Sequence, residues 1–358
     1  MYLASFAELK NYLGEMEVNP SKELMILVGE KSSQDVEGLI NFLNQQGIKF
    51  FGGIYSRLLV ESKSYSQGFI LQEYEPIYSS IVLPSLMRFK LDLKEIKNST
   101  ALVLIDGLSD KMQELTDTVY NKLGDTVKYI GGGAGFYDLE HRPCIFNNMG
   151  LHKDALHICI VKSEVKLAVK HGWNKLEGPF MVTESKKNVI SKIDNYMAFD
   201  VYRDVIEEHE GIILYKEDFF TYAKEHPFGV VKKGQMDLIV RDPIAINDND
   251  EIVCVAGVPE ESELYVLKGN IDTLLNSSLQ IAEYCASKAP QNYKPLLFNC
   301  ISRAMYLEER FDEELNNIQS KLAFPVEGAL SIGEIASQKN GELVIHNKST
   351  ILGLLEFK

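Results

Sequence analysis

The sequence predicts an α/β protein with mixed β-sheets flanked by helices, built from repeated β-α-β-Gly-turn-β units. Three observations predict it. A short apolar run followed by an amphipathic helical stripe recurs three times. Each stripe leads into a second extended run that meets a glycine segment. Each glycine segment is followed by returning extended stretches.

The elements follow in order. Phe6, Leu9, Leu13 and Met16 fall on one face of an N-terminal helix. The first unit opens with the apolar run Leu24 to Val28. Val36, Leu39, Ile40 and Leu43 then form a helical stripe, Gly52 and Gly53 pair, and Gly68 to Leu71 closes the unit. The second unit starts at Ala101, and its helix carries Met112, Leu115, Val119 and Leu123. Gly131, Gly132, Gly133 and Gly135 follow, and Ala155 to Val161 closes it. The third opens at Pro295 to Asn299, with a stripe of Phe311, Leu315, Ile318 and Leu322. It runs on through Gly328 and Gly333-Glu334 to extended runs at Leu343 to Asn347 and Thr350 to Phe357. Strand-helix-strand order implies a parallel pair. Returning strands add antiparallel neighbours, so the sheets are mixed.

Between the second and third units the pattern changes. Met181 to Thr183 and Asn188 to Ile190 suggest a hairpin around Lys186-Lys187, and a helix follows from about Met197 to Glu208. Short strands at Leu238 to Val240, Glu251 to Ala256 and Glu263 to Leu267 are separated by turns at Asp242-Pro243 and Asn247 to Asp250. A helix covers Ile271 to Ser287. A boundary near Lys166 divides the chain into residues 1–166 and 167–358.

Composition narrows the function. With 37 basic against 51 acidic residues, the net charge of −14 argues against nucleic acid and anionic lipid as partners. Five cysteines without a CxxC spacing suit a reduced, cytoplasmic chain. Apolar runs fall far short of the ~18 residues of a membrane span. Glu8, Lys10, Glu15 and Glu17 stand where a signal peptide would be apolar.

The glycine run from Gly131 to Gly135 is the strongest local signal. A P-loop would continue Lys-Ser/Thr, and here Phe136-Tyr137 follows; a dinucleotide fingerprint would put the helix after the glycines, and here it comes before. The run is either a tight strand crossover or a ligand-facing loop carrying Gly132 and Gly133. At the end of the third unit's first strand stand Cys300 and Arg303, where α/β proteins place sites. Cys300 is either a structural thiol or a nucleophile activated by Arg303. Arg303 either holds a ligand carboxylate or pairs internally with Glu334 or Glu308. Glu334 suits a ligand amine, so arginine, glutamate and glycine backbone together suit a zwitterion. His141, Cys144, His152, His157 and Cys159 have no strong zinc spacing, and no metal site is expected. His171, beside Gly172-Trp173, is a candidate axial ligand for haem as an alternative cofactor.

Several segments carry a family resemblance: ALVLIDGLSD from Ala101, YIGGGAGF from Tyr129 and ALHICIV from Ala155. HGW at His171, LLFNCISR from Leu296, GALSIGEI from Gly328 and IHNKST from Ile345 complete it. In order and spacing the chain resembles a FIST-domain protein with N-terminal and C-terminal parts. The resemblance implies a non-enzymatic sensory domain that binds a small ligand, with amino acids the proposed inputs. It implies output to a separate signalling protein, such as a chemoreceptor, histidine kinase or cyclic-dinucleotide enzyme. Some members sense nitric oxide through haem, which is the alternative reading for His171. A cysteine-dependent enzyme using Cys300 is the other alternative. Gly132, Gly133, Cys300, Arg303 and Glu334 are the expected ligand-binding residues. Ala304 stands where members tend to have glycine, and Ala329-Leu330 where they tend to have aromatics.

Overall fold

The computed structural model describes residues 1–84, 91–231 and 238–357. The last residue of the expected second domain, Lys358, lies outside them. The described residues form a mixed α/β fold with three six-stranded sheets and one eight-stranded sheet.

The three six-stranded sheets share one plan. Each centres on a return strand, a first strand and a second strand, with the first two antiparallel and the last two parallel. In the first unit these are Phe69–Tyr74, Glu23–Gly29 and Phe50–Tyr55. In the second they are Leu156–Val161, Ser99–Asp106 and Val127–Ala134. In the third they are Thr350–Glu356, Tyr293–Cys300 and Glu327–Ser331. The central strands are buried throughout, except at Lys294 in the third unit, which is why they read as apolar runs.

The units exchange strands in a ring. The first gives Leu58–Val60 to the third sheet, beside Glu327–Ser331. The second gives Ile145–Asn147 to the first, beside Phe50–Tyr55. The third gives Glu334–Ser337 to the second, beside Val127–Ala134. Outer strands extend the exchange. Val165–Lys170 pairs with Thr350–Glu356, and Lys166 lies opposite Leu354. The boundary expected near Lys166 therefore falls inside a strand of the third sheet.

Register makes the glycines equivalent. Ile26 faces Gly52 and Leu71, Val103 faces Gly131 and Ile158, and Leu297 faces Gly328 and Leu352. A Cβ on Gly131 would lie 1.7 Å from the Val103 carbonyl oxygen, and one on Gly328 1.7 Å from that of Leu297. On Gly52 it would lie 2.2 Å from that of Ile26. The expected glycine turn is thus corrected. Gly131, Gly132 and Gly133 sit inside the Val127–Ala134 strand, where only a missing side chain lets the neighbouring backbone approach so closely.

The inserted region forms the eight-stranded antiparallel sheet, from Asn174–Lys186 to Glu263–Lys268. The hairpin turns at Lys187, which has a φ of +55°. The helix Ala198–Glu210 packs Phe199, Tyr202, Val205 and Ile206 on this sheet. The helices Ile271–Ser287 and Phe311–Gln319 bury their apolar stripes with Leu297, Leu352 and Leu354 of the third sheet.

Candidate functional site

Strand exchange brings four of the five expected ligand-binding residues together. Gly132 lies opposite Glu334 in the second sheet. A Cβ on Gly132 would meet Phe298 at 2.6 Å and Ser331 at 2.8 Å, and one on Gly133 would meet the Ile332 carbonyl oxygen at 2.0 Å. Glu334 is fully buried at the start of the Glu334–Ser337 strand. Its carboxyl accepts hydrogen bonds from Ser331 Oγ at 2.8 Å and the Ser349 N–H at 3.3 Å. Burial pushes its pKa up to about 8. Burial also pushes the neighbouring Cys300 thiol far up, and the Glu334 and Asp242 carboxylates add to the shift. Such a shift favours the protonated thiol over the thiolate that a nucleophile needs. The void that Cys300, Asp242, Gly333 and Asn347 border holds about 10 Å³, roughly the room of one water. These residues form a packed polar core.

Arg303 faces a different direction. It is fully buried. Its Nε donates to both Glu314 oxygens at 3.0 and 3.1 Å, Nη1 to the His171 carbonyl, and Nη2 to the Leu274 carbonyl at 2.6 Å and Ser277 Oγ at 3.1 Å. Its partner is Glu314, and neither Glu334 nor Glu308. Every nitrogen is engaged, so Arg303 fastens the Ile301–Leu307 helix to Glu314 of the third unit and to His171, Leu274 and Ser277 of the region before it.

His171 does not fit a haem ligand. Its Nδ1 accepts the Trp173 N–H at 3.0 Å. Burial lowers its pKa to about 4, helped by Arg303 and Lys170, so the ring is neutral. A neutral imidazole that accepts at Nδ1 carries its proton on Nε2, which then has no lone pair for iron.

A ligand-sized space lies elsewhere. A cleft of about 850 Å³ separates the Met112–Leu123 helix from the segment 255–260 and the Lys187 hairpin. Arg241, the last residue of the Ile239–Arg241 strand, borders it and is 4% exposed. Its Nε donates to the Gly257 carbonyl at 2.7 Å, and Nη1 to those of Val240 and Ile345 at 3.1 and 3.0 Å. Among the described residues no carboxylate pairs with it. The adjacent Asp242 is taken by Lys348, whose Nζ lies 3.1 Å away. Burial lowers the Arg241 pKa to about 10, so the guanidinium is still charged at neutral pH. Asp110, Glu114, Asp117 and Glu260 stand around the same cleft, and Lys187 reaches Asp110 at 3.4 Å. The cleft therefore offers one enclosed cation and several carboxylates.

Residues 70–196 match the FIST N domain and residues 198–337 the FIST C domain. The chain belongs to the FIST family. FIST domains are sensory domains of signalling proteins. The cleft takes its walls from both matched regions of this FIST chain: the helix and hairpin from the N part, and Arg241 with 255–260 from the C part. No curated protein matches the chain. Among the described residues, no helix is long and apolar enough to cross a membrane. Sequence reasoning passed over Arg241 because Asp242-Pro243 marks a turn. The usable signal was an Arg-Asp pair directly after the apolar Leu238-Ile239-Val240.

Proposed function

We propose that this FIST protein senses a small zwitterion, an amino acid, in the cleft between its N and C parts, and reports to a separate signalling protein in the cytoplasm. The observation that carries this reading is Arg241. Buried charges are normally paired. Among the described residues the guanidinium has only carbonyl acceptors, and in this reading a ligand carboxylate supplies the counter-charge. Glu114 and Asp117 on the opposite wall suit the ligand ammonium. An amino acid is the easier guest for an acidic molecule than a plain anion, which the net charge of −14 repels. The buried cluster of Gly132, Gly133, Cys300 and Glu334 supports the cleft from behind. Arg241 holds the Ile345 carbonyl, and Ile345 pairs with Ile335, the neighbour of Glu334. A chemoreceptor, a histidine kinase or a cyclic-dinucleotide enzyme is the type of partner this reading calls for.

The test is a thermal-shift screen of the amino acids against the wild type and Arg241→Met. At a ligand concentration 100 times Kd, the wild type gains about 2.7 kcal/mol. Arg241→Met loses that gain; because it also frees the Gly257, Val240 and Ile345 carbonyls, its shift is measured against its own ligand-free melting temperature. A wild type stabilised by no amino acid, or an Arg241→Met variant that keeps the shift, overturns the proposal.

A further inference from the structure

Asp106 ends the first strand of the second unit, and Asp154 sits in the turn just before its return strand. His141 comes from the loop between them in sequence. Its Nε2 lies 2.9 Å from Asp106 Oδ2 and 3.6 Å from Asp154 Oδ1. One ligand atom from each of the three residues lies within 4.8 Å of the others. Neither carboxylate has a lysine or arginine partner among the described residues, although Asp106 is only 1% exposed. No cationic side chain other than His141 stands against these two carboxylates among the described residues.

The repeated units provide an internal control. By register, the positions of Asp106 and Asp154 correspond to Gly29 and Gln67 in the first unit and to Cys300 and Lys348 in the third. The fold therefore does not require carboxylates there. Only the second unit places two of them around a histidine. We propose that Asp106, His141 and Asp154 bind a divalent transition-metal ion.

The geometry suits the chemistry. Bonds of about 2.1 Å to the three ligand atoms make the 2.9 and 3.6 Å separations subtend about 87° and about 118° at the ion. Those angles fall in the range of octahedral and tetrahedral sites. Oxygen and imidazole ligands suit Zn²⁺, Mn²⁺, Fe²⁺ or Co²⁺. The carboxylates are already oriented, because the Leu108 and Asp154 N–H groups donate to Asp106 and Ser109 Oγ donates to Asp154 at 2.6 Å. His141 and Asp154 are each 29% exposed at the side chain, so an ion can enter from solvent.

Chelator-treated protein is titrated with Zn²⁺ by calorimetry and with Co²⁺ by visible absorbance. The expected result is one equivalent bound, with ligand-field bands for Co²⁺. His141→Gln and Asp154→Asn each weaken binding about 100-fold or more, while the metal-free variants keep the wild-type circular dichroism and melting temperature. Absence of saturable wild-type binding at about 100 μM ion, a concentration well above structural-site affinities, overturns the proposal. So does wild-type affinity in either variant. If one variant fails to fold, the other decides the matter.

Discussion

Gly131→Ala separates a structural glycine run from a ligand-facing one. The new Cβ would stand 1.7 Å from the Val103 carbonyl oxygen and 3.0 Å from the Val103 nitrogen. A carbon and a carbonyl oxygen ordinarily approach no closer than about 3.3 Å, so the two parallel strands must part by about 1.6 Å. That opening stretches ladder hydrogen bonds beyond their working range, and both strands are buried there. Two backbone groups left unsatisfied cost about 1–3 kcal/mol each, and overpacking adds a similar amount. The expected loss is about 4 kcal/mol or more, a large share of the 5–15 kcal/mol that typically stabilises a fold. The assay is urea denaturation followed by circular dichroism, with Gly14→Ala as control. Gly14 lies in the Phe6–Glu15 helix with nothing within 4 Å of its Cβ position. That control gains up to about 1 kcal/mol from helix propensity. Gly328→Ala, at the equivalent place in the third unit, behaves like Gly131→Ala. A Gly131→Ala protein within about 1 kcal/mol of wild type would refute the close-approach reasoning.

Two further predictions concern buried charges. Because Glu334 has a folded pKa above its unfolded value of 4.5, the native state holds more protons than the unfolded state in the window between them. Stability therefore falls as pH rises through that window. Glu334→Gln removes this component of the fall, and parallel urea midpoints for both proteins between pH 5 and pH 9, roughly spanning that window, would contradict it. Glu314→Gln strands the Arg303 guanidinium without its carboxylate and costs about 3–5 kcal/mol, whereas the Arg303→Met/Glu314→Met double variant recovers most of the loss. Urea unfolding of single and double variants measures both, and a double variant no better than the single one would refute the pairing.

Local periodicity made much of the fold legible. The stripe Met112, Leu115, Val119 and Leu123 became the helix Met112–Leu123, and Ile271 to Ser287 formed a helix over the same residues. Apolar runs became the first strands of the three units because burial on both faces leaves no polar position to alternate. The exchange of strands was not legible. Glu334–Ser337 pairs with a strand about 200 residues earlier, and no local pattern encodes such a partner. The site was illegible for the same reason. Helix 112–123 and segment 255–260 carry ordinary surface residues, and only the fold sets them across one cleft from Arg241.

The two buried arginines show why residue type and strand position did not suffice. Arg241 ends a strand, and Arg303 lies three residues past the end of another. Both are enclosed, and both bind main-chain carbonyls. What separates them is the third partner. Glu314 reaches Arg303 from a helix one turn further along the chain, and its remaining capacity goes to Asn299 and Thr350. The carboxylate nearest Arg241 in sequence, Asp242, turns instead to Lys348, which also donates to the Lys224 carbonyl. One arginine is thus neutralised inside the protein, while the other keeps its charge at the wall of a cleft. Among the described residues no carboxylate completes that guanidinium, and this charge, rather than the glycine run, is where the proposed ligand carboxylate is placed.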